Sequence, residues 1–305
     1  MTYNTTVLVT GSDGFIGHHL VAFLVECGFK VIAASRSAAA SGSKIGAAAL
    51  PDLSRPFDWA PLLKQCDAVV HLAAVAHRPA NDELFDQVNH RATGALAEAA
   101  ARLDKHLVFI SSIAAQSGSF SDHELTEDDP PQPTNAYGRS KLAAERAIRD
   151  AGGSFTILRP VVIYGDGEKG NLATIRKIAR LPIPLPFRSM TARRSVLSVQ
   201  NLNSAIVTAL TDTRARQQTF IVSDPTPVTV ADLITHYRRI YGRSGWLFPV
   251  PQRSLELMLK AVGERRTWQR IGCPLVAPPA KLMTLGWKPV EFSPSRTCKP
   301  GDAAE

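Results

Sequence analysis

The chain alternates short apolar, β-branched runs with longer segments that carry apolar residues at helical spacing. A short run of this kind suits a strand that is buried on both faces of a parallel sheet. Strands that alternate with helices imply βαβ units, a parallel sheet and right-handed crossovers. The predicted strands cover residues 7–10, 30–34, 68–74, 107–110 and 155–158, with a weak strand just before Pro51. Helices are predicted over 18–25, about 83–103 and 135–151, and a loop with a short helix over 38–49.

The pattern changes after residue 165, where prolines become frequent up to residue 251. Proline interrupts regular elements, and we expect this half to form a smaller, substrate-holding domain. An amphipathic segment at 199–210 and a strand at 219–222 are expected to return to the sheet. The two domains therefore interleave. Residues 1–165 and about 196–223 form the sheet domain, and about 166–195 and 224–305 form the second.

Composition narrows the function classes. The 305 residues carry a formal net charge of +8, and no apolar run approaches the ~18 residues of a membrane span. The basic residues are dispersed, which argues against nucleic acid and fits a solvated surface, an anionic substrate or a nearby membrane surface. The cysteines, Cys27, Cys66, Cys273 and Cys298, have no metal-ligand spacing. We expect reduced thiols, no metal, no signal peptide and a cytoplasmic location.

Three glycines, Gly11, Gly14 and Gly17, stand between the first strand and the first helix. This order presents a helix N-terminus to a diphosphate, because missing side chains let backbone N–H groups approach the phosphates. A glycine at the third position also lets the helix pack close to the strand. The stretch therefore predicts a dinucleotide site in preference to an ordinary turn.

Tyr137 and Lys141 are four residues apart near the start of a predicted helix and share one face. Because a nearby ammonium favours a phenolate, Lys141 is expected to lower the tyrosine pKa from its usual ~10. The pair can then pass a proton to or from a substrate hydroxyl. Ser112 follows the strand at 107–110 and is a candidate hydrogen-bond partner for a substrate oxygen; the alternative is a serine that caps a loop.

Together with segments 71–74, 110–113 and 158–160, these motifs resemble the extended short-chain dehydrogenase/reductase family of epimerases and dehydratases, over most of the chain. The resemblance implies an α/β fold with a Rossmann-type doubly wound parallel sheet and a smaller, interleaved C-terminal substrate domain. It implies a catalytic group of Ser112, Tyr137 and Lys141, with Lys141 also holding the nicotinamide ribose. The subgroup it resembles contains UDP-glucose 4-epimerases and bacterial nucleotide-sugar 4-keto reductases.

The cofactor implied by the resemblance is a nicotinamide dinucleotide. Ser35 and Arg36 end the second strand where an acid would select NAD, so NADP(H) is favoured and NAD(H) is possible. The alternatives are that Arg36 points into solvent and that Asp52 is a turn residue rather than an adenine contact. The predicted cofactor contacts are Gly11, Asp13, Gly14, Phe15, Ile16, Gly17, Ser35, Arg36, Asp52, Leu53, Leu72, Ala73, Ala74, Tyr137, Lys141 and Pro160.

The resemblance also implies a sugar diphosphate substrate. Its contacts are Ser112, Asn171, Leu172, Arg194 and Arg270. Cys273 replaces the acidic residue that binds the nucleotide ribose in the family, and Val162 replaces an asparagine of the family's epimerases. The carrier is therefore UDP or a polyprenyl diphosphate.

Three function classes remain. A 4,6-dehydratase is set aside, because it needs an acidic pair beside the hydroxyl at the end of the fifth strand, where this chain has Ile113 and Ala114. Reduction of a 4-keto (2-acetamido-2,6-dideoxy) sugar is favoured, with a 4-epimerase as the alternative and a non-catalytic cofactor-binding protein behind both. The resemblance further implies a homodimer through 83–103 and 135–151. Alanines that would line this contact are Ala95, Ala99, Ala143 and Ala147.

Overall fold

A computed structural model of the protein describes residues 4–37, 45–76, 80–168, 171–261 and 263–291. In these ranges the main sheet has seven parallel strands in the order β3-β2-β1-β4-β5-β6-β9. The order runs outward from β1 in both directions, which confirms the predicted doubly wound α/β fold. The strands are β1 Thr6–Thr10, β2 Lys30–Ser35, β3 Ile45–Ala49, β4 Ala68–His71, β5 His106–Ile110, β6 Phe155–Pro160 and β9 Gln218–Val222. Two short strands, β7 Val162–Tyr164 and β8 Val196–Ser198, pair separately.

Helices cover both faces of the sheet. A π-helical segment, Asp86–Arg91, joins α3 to α4 in one continuous helical stretch, where the sequence predicted a single helix over 83–103. The helices are α1 Phe15–Glu26, α2 Ala60–Leu63, α3 Asp82–Phe85, α4 Ala92–Arg102, α5 Ala136–Asp150, α6 Asn171–Ala179, α7 Val199–Thr211, α8 Val230–Ile240, α9 Gln252–Ala261, α10 Arg265–Ile271 and α11 Ala280–Met283.

The core lies on both sides of the sheet, and β1 contributes to each side in turn. Val7 and Val9 join the cluster that contains Leu20 of α1 and Leu202 of α7. Leu8 joins the opposite cluster, which contains buried residues of α4 and α5. Because both faces are covered, the strand is apolar at every position from 7 to 9, as its sequence indicated.

A third cluster lies beside the sheet and contains residues of α6, α8, α9 and α10. It fits the expectation of a second domain, and the division into domains stays a prediction. Leu275 and Trp287, which fall in the expected second domain, pack into the sheet cluster that also contains α7.

Two local predictions were wrong. Residues 45–49 form β3, which confirms the weak strand expected just before Pro51. The loop with a short helix expected over 38–49 is therefore wrong for these five residues, and residues 38–44 lie outside the described ranges. Alanine and glycine have little intrinsic preference for strands, so parallel pairing with β2 decides this conformation. The strand expected over 68–74 ends at His71, and the next backbone N–H groups donate instead to the Thr10 hydroxyl.

The homodimer through α4 and α5 stays a prediction, and the protomer leaves only part of the expected alanine face available. Ala95 is exposed and Ala143 is half-buried. Ala99 is buried in the core of the protomer. A Cβ added to Gly94 would lie 3.4 Å from Cβ of Ala147, so these two positions pack against each other.

No helix in the described ranges is long and apolar enough to cross a membrane. Among the same residues, no group of three or more His, Cys, Asp or Glu side chains could hold a metal ion. Cys27, Cys66 and Cys273 are free thiols, and Cys298 lies outside the described part of the chain. The cytoplasmic location stays a prediction.

The glycine turn fixes how closely α1 approaches β1. A Cβ at Gly17 would lie 2.3 Å from the Gly11 carbonyl oxygen and 2.6 Å from Cα of Ser12. Both are backbone atoms that cannot move without disturbing the turn. Only glycine therefore fits at this position.

We expect Gly17→Ala to lower the free energy of unfolding by about 1–3 kcal/mol, because the added methyl group overpacks the turn. Gly46→Ala in β3 is the matched control, since its Cβ would meet nothing closer than 3.8 Å. Urea unfolding measures both variants. Equal stability of the two variants would contradict this interpretation of the turn.

Candidate active site

The turn between β1 and α1 has the geometry of an anion site. Gly11 has a φ of +71°, a conformation that favours glycine. A Cβ at Gly11 would lie 2.9 Å from the backbone nitrogen of Ala73, so the turn also lies against the chain that leaves β4. Gly14 is the N-cap of α1, no side chain caps this terminus, and its first turn holds no acid. The free N–H groups and the helix dipole fit the diphosphate of a dinucleotide.

The chain that leaves β4 is anchored by a buried histidine. Leu72 and Ala73 donate their N–H groups to Thr10 Oγ1, and Thr10 Oγ1 lies 2.8 Å from His71 Nδ1. Burial lowers the pKa of His71 to about 3, so the ring is neutral. The Thr93 hydroxyl donates to the helix backbone and lies 3.1 Å from His71 Nε2. With the His71 proton on Nε2, Nδ1 accepts a hydrogen bond from the Thr10 hydroxyl and Nε2 donates one to Thr93 Oγ1, so every one of these groups has a partner.

Asn89 connects the chain that leaves β4 to helix α5 by hydrogen bonds of its side chain. Its side chain accepts the N–H of Val75 at 2.7 Å and donates to the Val75 carbonyl and to the Ser140 hydroxyl. Sequence reasoning missed Asn89, and the available signal was a polar amide at a helix position that faces the core. His71 lay within the quoted motif, but its anchoring role was not predicted. Together these side chains hold the small residues 73–74 beside the glycine turn.

Ser112 and Tyr137 meet because α5 lies against the turn that follows β5. Asn135 caps α5 by accepting the N–H of Gly138. A Cβ at Gly138 would lie 2.1 Å from the Ala114 carbonyl oxygen, so only glycine permits this approach. The Ser112 hydroxyl accepts the Ala114 N–H at 3.1 Å and also hydrogen-bonds to the Tyr137 phenol. Ser112 therefore caps this loop, and its role as a site residue stays a prediction.

Burial sets the protonation of the two ionisable groups. Burial raises the pKa of Tyr137 to about 12, and the hydrogen bond with Ser112 opposes this shift. Lys141 is 3% exposed, donates to the Ile110 carbonyl at 2.9 Å and lies over the Phe109 ring. Burial lowers the pKa of Lys141 to about 7. The expected lowering of the Tyr137 pKa by Lys141 is not present in this arrangement, because the ammonium is directed at the carbonyl.

A buried ion pair lies one turn beyond Lys141 and joins β5, α5 and β6. Glu145 accepts two hydrogen bonds from Arg159, at 2.9 and 2.6 Å, and one from Ser111 at 2.6 Å. Arg159 also donates to Gln116 at 2.9 Å. Glu145 also raises the pKa of Lys141 and so opposes the effect of burial. Arg159 lies within the motif at 158–160, but its ion pair with Glu145 was not predicted.

The expected adenosine end lies at the carboxyl edge of β2. Ser35 is buried and Arg36 is exposed. Asp52 accepts the N–H of Ser54, and this bond is the main cause of its lowered pKa, with a smaller contribution from Arg36. Asp52 therefore acts as a turn residue here and also lies near the guanidinium. The remaining predicted contacts vary in exposure: Asp13 is exposed, Phe15 and Ile16 are half-buried, and Leu53 and Pro160 are buried.

The expected substrate arginines differ in their surroundings. Arg194 is half-buried and donates to the carbonyl groups of Ser119, Gln269 and Cys273. Burial lowers its pKa to about 10, and the charge of the exposed Arg270 adds to this shift. The structure thus brings the two arginines near each other. Leu172 is buried in the third cluster, and the Asn171 side chain lies outside what the structure describes.

We expect Arg159→Met to lower the free energy of unfolding by about 3–5 kcal/mol, because it leaves the Glu145 carboxylate buried without its main partner. Arg149→Met is the matched control. Its side chain is 39% exposed and contacts the same carboxylate at 3.3 Å, so its loss should cost under about 1 kcal/mol. Urea unfolding at pH 7 measures both. Similar losses for the two variants would refute the ranking of these two contacts.

Comparisons with known proteins identify the family of this chain. The model of the NAD dependent epimerase/dehydratase family matches residues 7–223. UDP-glucose 4-epimerase of Vibrio cholerae is 33% identical over 298 residues, which are 93% of this chain and 90% of that protein. dTDP-4-dehydrorhamnose reductase of Burkholderia thailandensis is 31% identical over 179 residues, which are 57% of this chain and 55% of that protein. The solved structure of UDP-glucuronic acid 4-epimerase from Bacillus cereus in complex with NAD superposes with a TM-score of 0.75, covering 95% of each chain at 22% identity.

The family match spans most of the chain and includes every strand of the main sheet except part of β1. Because its sequence identity is only 22%, the solved structure supports the fold alone. The resemblance noted from the glycine, serine, tyrosine and lysine motifs is therefore confirmed. This chain belongs to the NAD-dependent epimerase/dehydratase family of extended short-chain dehydrogenases/reductases, and it is an enzyme of that family.

Proposed function

We propose that this protein reduces the 4-keto group of a sugar carried on a diphosphate, with a 4-keto-2-acetamido-2,6-dideoxy sugar as the best candidate. The observation that carries the proposal is the meeting of Ser112, Tyr137 and Lys141 at the carboxyl end of β5. That end of a doubly wound sheet is where ligands bind. The similarity to a dTDP-4-dehydrorhamnose reductase supports reduction at this position of a sugar.

The nicotinamide, when bound, supplies the hydride. Ser112 orients the C4 oxygen by hydrogen bonding. Tyr137 is a neutral phenol at physiological pH, since its pKa is about 12, and it holds the proton that the oxygen receives. Lys141 lies one turn away on the same helix, and its ammonium would stabilise the phenolate that remains once it turns from the Ile110 carbonyl toward Tyr137. In the bound state Lys141 also holds the nicotinamide ribose.

A 4-epimerase is the second candidate. The observation that favours it is the 33% identity to a UDP-glucose 4-epimerase over nearly the whole chain. The same three side chains serve this reaction, with Tyr137 first accepting and later returning a proton. The two reactions differ in their net use of cofactor: a reductase consumes one reduced cofactor for each product formed, whereas an epimerase consumes none.

The arginine pair supports a diphosphate substrate. Arg270 adds its positive charge to the burial that lowers the pKa of Arg194 to about 10. An anion bound between the two guanidinium groups would relieve this unfavourable proximity. UDP and a polyprenyl diphosphate share this chemistry, so both carriers belong in the substrate panel.

We expect Tyr137→Phe to lower kcat about 100-fold or more, because the variant lacks the proton donor. Cofactor affinity should persist, which separates lost chemistry from lost binding. The panel contains 4-keto sugars on both carriers, together with UDP-glucose and UDP-N-acetylglucosamine for epimerisation. Tyr241→Phe is the control, since Tyr241 bonds to Arg176 in the third cluster. A near-normal kcat for Tyr137→Phe would overturn the catalytic assignment.

We also propose that the cofactor is NADP(H), with Arg36 as the residue that selects it. Arg36 is exposed directly after β2, and no acid stands at the end of that strand. A guanidinium there suits a 2′-phosphate. A reductase also benefits from a cofactor that cells keep reduced. Because the Bacillus cereus relative binds NAD, NADH must be measured beside NADPH.

We expect Arg36→Ala to weaken NADPH binding roughly 10- to 100-fold, the effect of losing a hydrogen bond between charged groups. NADH affinity should be unchanged. Arg55→Ala is the matched control, because Arg55 is likewise exposed and close to Asp52. Fluorescence titration measures the dissociation constants of NADPH and NADH for the wild type and both variants. Equal or tighter binding of NADH by the wild type, unchanged in Arg36→Ala, would rule out the assignment.

A further inference from the structure

Four large apolar side chains, Leu181, Ile183, Trp246 and Phe248, are exposed in the part of the chain that surrounds the third cluster. We call these four residues the apolar patch. Trp246 is 68% exposed and Ile183 is 53% exposed. Monomeric proteins rarely leave large apolar side chains together in water, and such patches mark interaction surfaces.

The backbone brings the two segments of the apolar patch together. Leu185 donates its N–H to the Trp246 carbonyl at 3.4 Å and accepts the Phe248 N–H at 3.0 Å. Arg188 donates its N–H to the Phe248 carbonyl at 3.3 Å. The two segments therefore run side by side at Leu185, and both carry exposed apolar residues.

Arg238 holds this arrangement in place. Its guanidinium is 3% exposed and donates to the carbonyl groups of Leu181, Ile183 and Ser244. A buried cation used in this way ties α8 to both segments. The backbone of both segments that carry the apolar patch is thus held by one buried guanidinium.

The surroundings of the apolar patch are strongly cationic. Residues 176–188 and 238–253 contain eight Lys and Arg residues and no Asp or Glu. Six of these cations are exposed: Lys177, Arg180, Arg188, Arg239, Arg243 and Arg253. α9 follows directly and exposes Leu257 and Met258, while Leu255 of the same helix is buried.

We propose that this face docks on the surface of an anionic lipid bilayer. Exposed tryptophan, phenylalanine and aliphatic side chains that are flanked by Lys and Arg are typical of proteins that lie in the membrane interface. The charge argues against a second copy of the chain, because two such faces would repel each other. The apolar centre argues against nucleic acid, which would need stacking or hydrogen-bonding groups there. The docking requires neither cofactor nor substrate, so it stands apart from the proposed reaction.

The test uses the full-length protein without cofactor or sugar and measures its binding to vesicles. Vesicles of phosphatidylcholine with phosphatidylglycerol are compared with vesicles of phosphatidylcholine alone by sedimentation. We expect binding at least tenfold stronger to the anionic vesicles, and weaker binding as salt is added. Trp59, Trp268 and Trp287 are buried, so a blue shift of tryptophan emission on binding would report Trp246.

Two sets of variants make the test specific to this face. Trp246→Ala should remove the blue shift and weaken binding at least fivefold, whereas Met283→Ser, at another exposed apolar position, should change neither. Arg239→Glu with Arg243→Glu should weaken binding at least tenfold, compared with Lys30→Glu and Lys64→Glu at exposed positions elsewhere. Circular dichroism checks that each variant is folded.

Three outcomes would overturn the proposal: no binding to anionic vesicles, equal binding to neutral vesicles, or control variants that weaken binding as much as the variants of this face. A fourth is a wild-type dimer by light scattering that Trp246→Ala converts to a monomer, since the face would then be covered by a second copy. Each leaves the test of Tyr137 unaffected, because that test measures turnover in solution.

Discussion

The site depends on one close backbone approach. Because Gly138 has no side chain, the start of α5 lies on the Ala114 carbonyl of the turn that follows β5. Any Cβ at this position would push the helix away, and Tyr137 would move with it. The approach places the phenol on Ser112 and directs Lys141 back to the carbonyl at the end of β5. The Glu145–Arg159 pair fixes the same helix one turn further on, by holding it to β6.

Burial of this region determines which groups carry charge before a ligand binds. His71 is neutral because its pKa is about 3, and Tyr137 is neutral because its pKa is about 12. Lys141 changes charge near neutral pH, since its pKa is about 7. A neutral phenol can give a proton at once, which suits reduction of a carbonyl group. The negative charge of Glu145 raises the pKa of Lys141 and so opposes the effect of burial.

The sequence was sufficient to predict the parts of this structure that local pattern determines. The apolar runs predicted the parallel sheet, and the glycine spacing predicted the turn between β1 and α1, because both depend on residues adjacent in the chain. The sequence indicated β3 only as a weak strand before Pro51 and not its extent, because Ala47 and Ala48 form it only by pairing with β2. The roles of Asn89 and Glu145 were missed because their partners, Val75, Ser111 and Arg159, are distant in sequence. The direction of the Lys141 ammonium likewise depends on a carbonyl 31 residues away.

Transfer of a labelled hydride tests the proposed reaction most directly. The protein is incubated with NADPH that carries deuterium at both C4 positions of the nicotinamide ring, together with a UDP-linked 4-keto-2-acetamido-2,6-dideoxy sugar. NMR of the product sugar locates the label. We expect one deuterium at C4 of the product for each NADPH oxidised. A product without deuterium at C4, or no product from a protein that binds both ligands, would contradict reduction at this site.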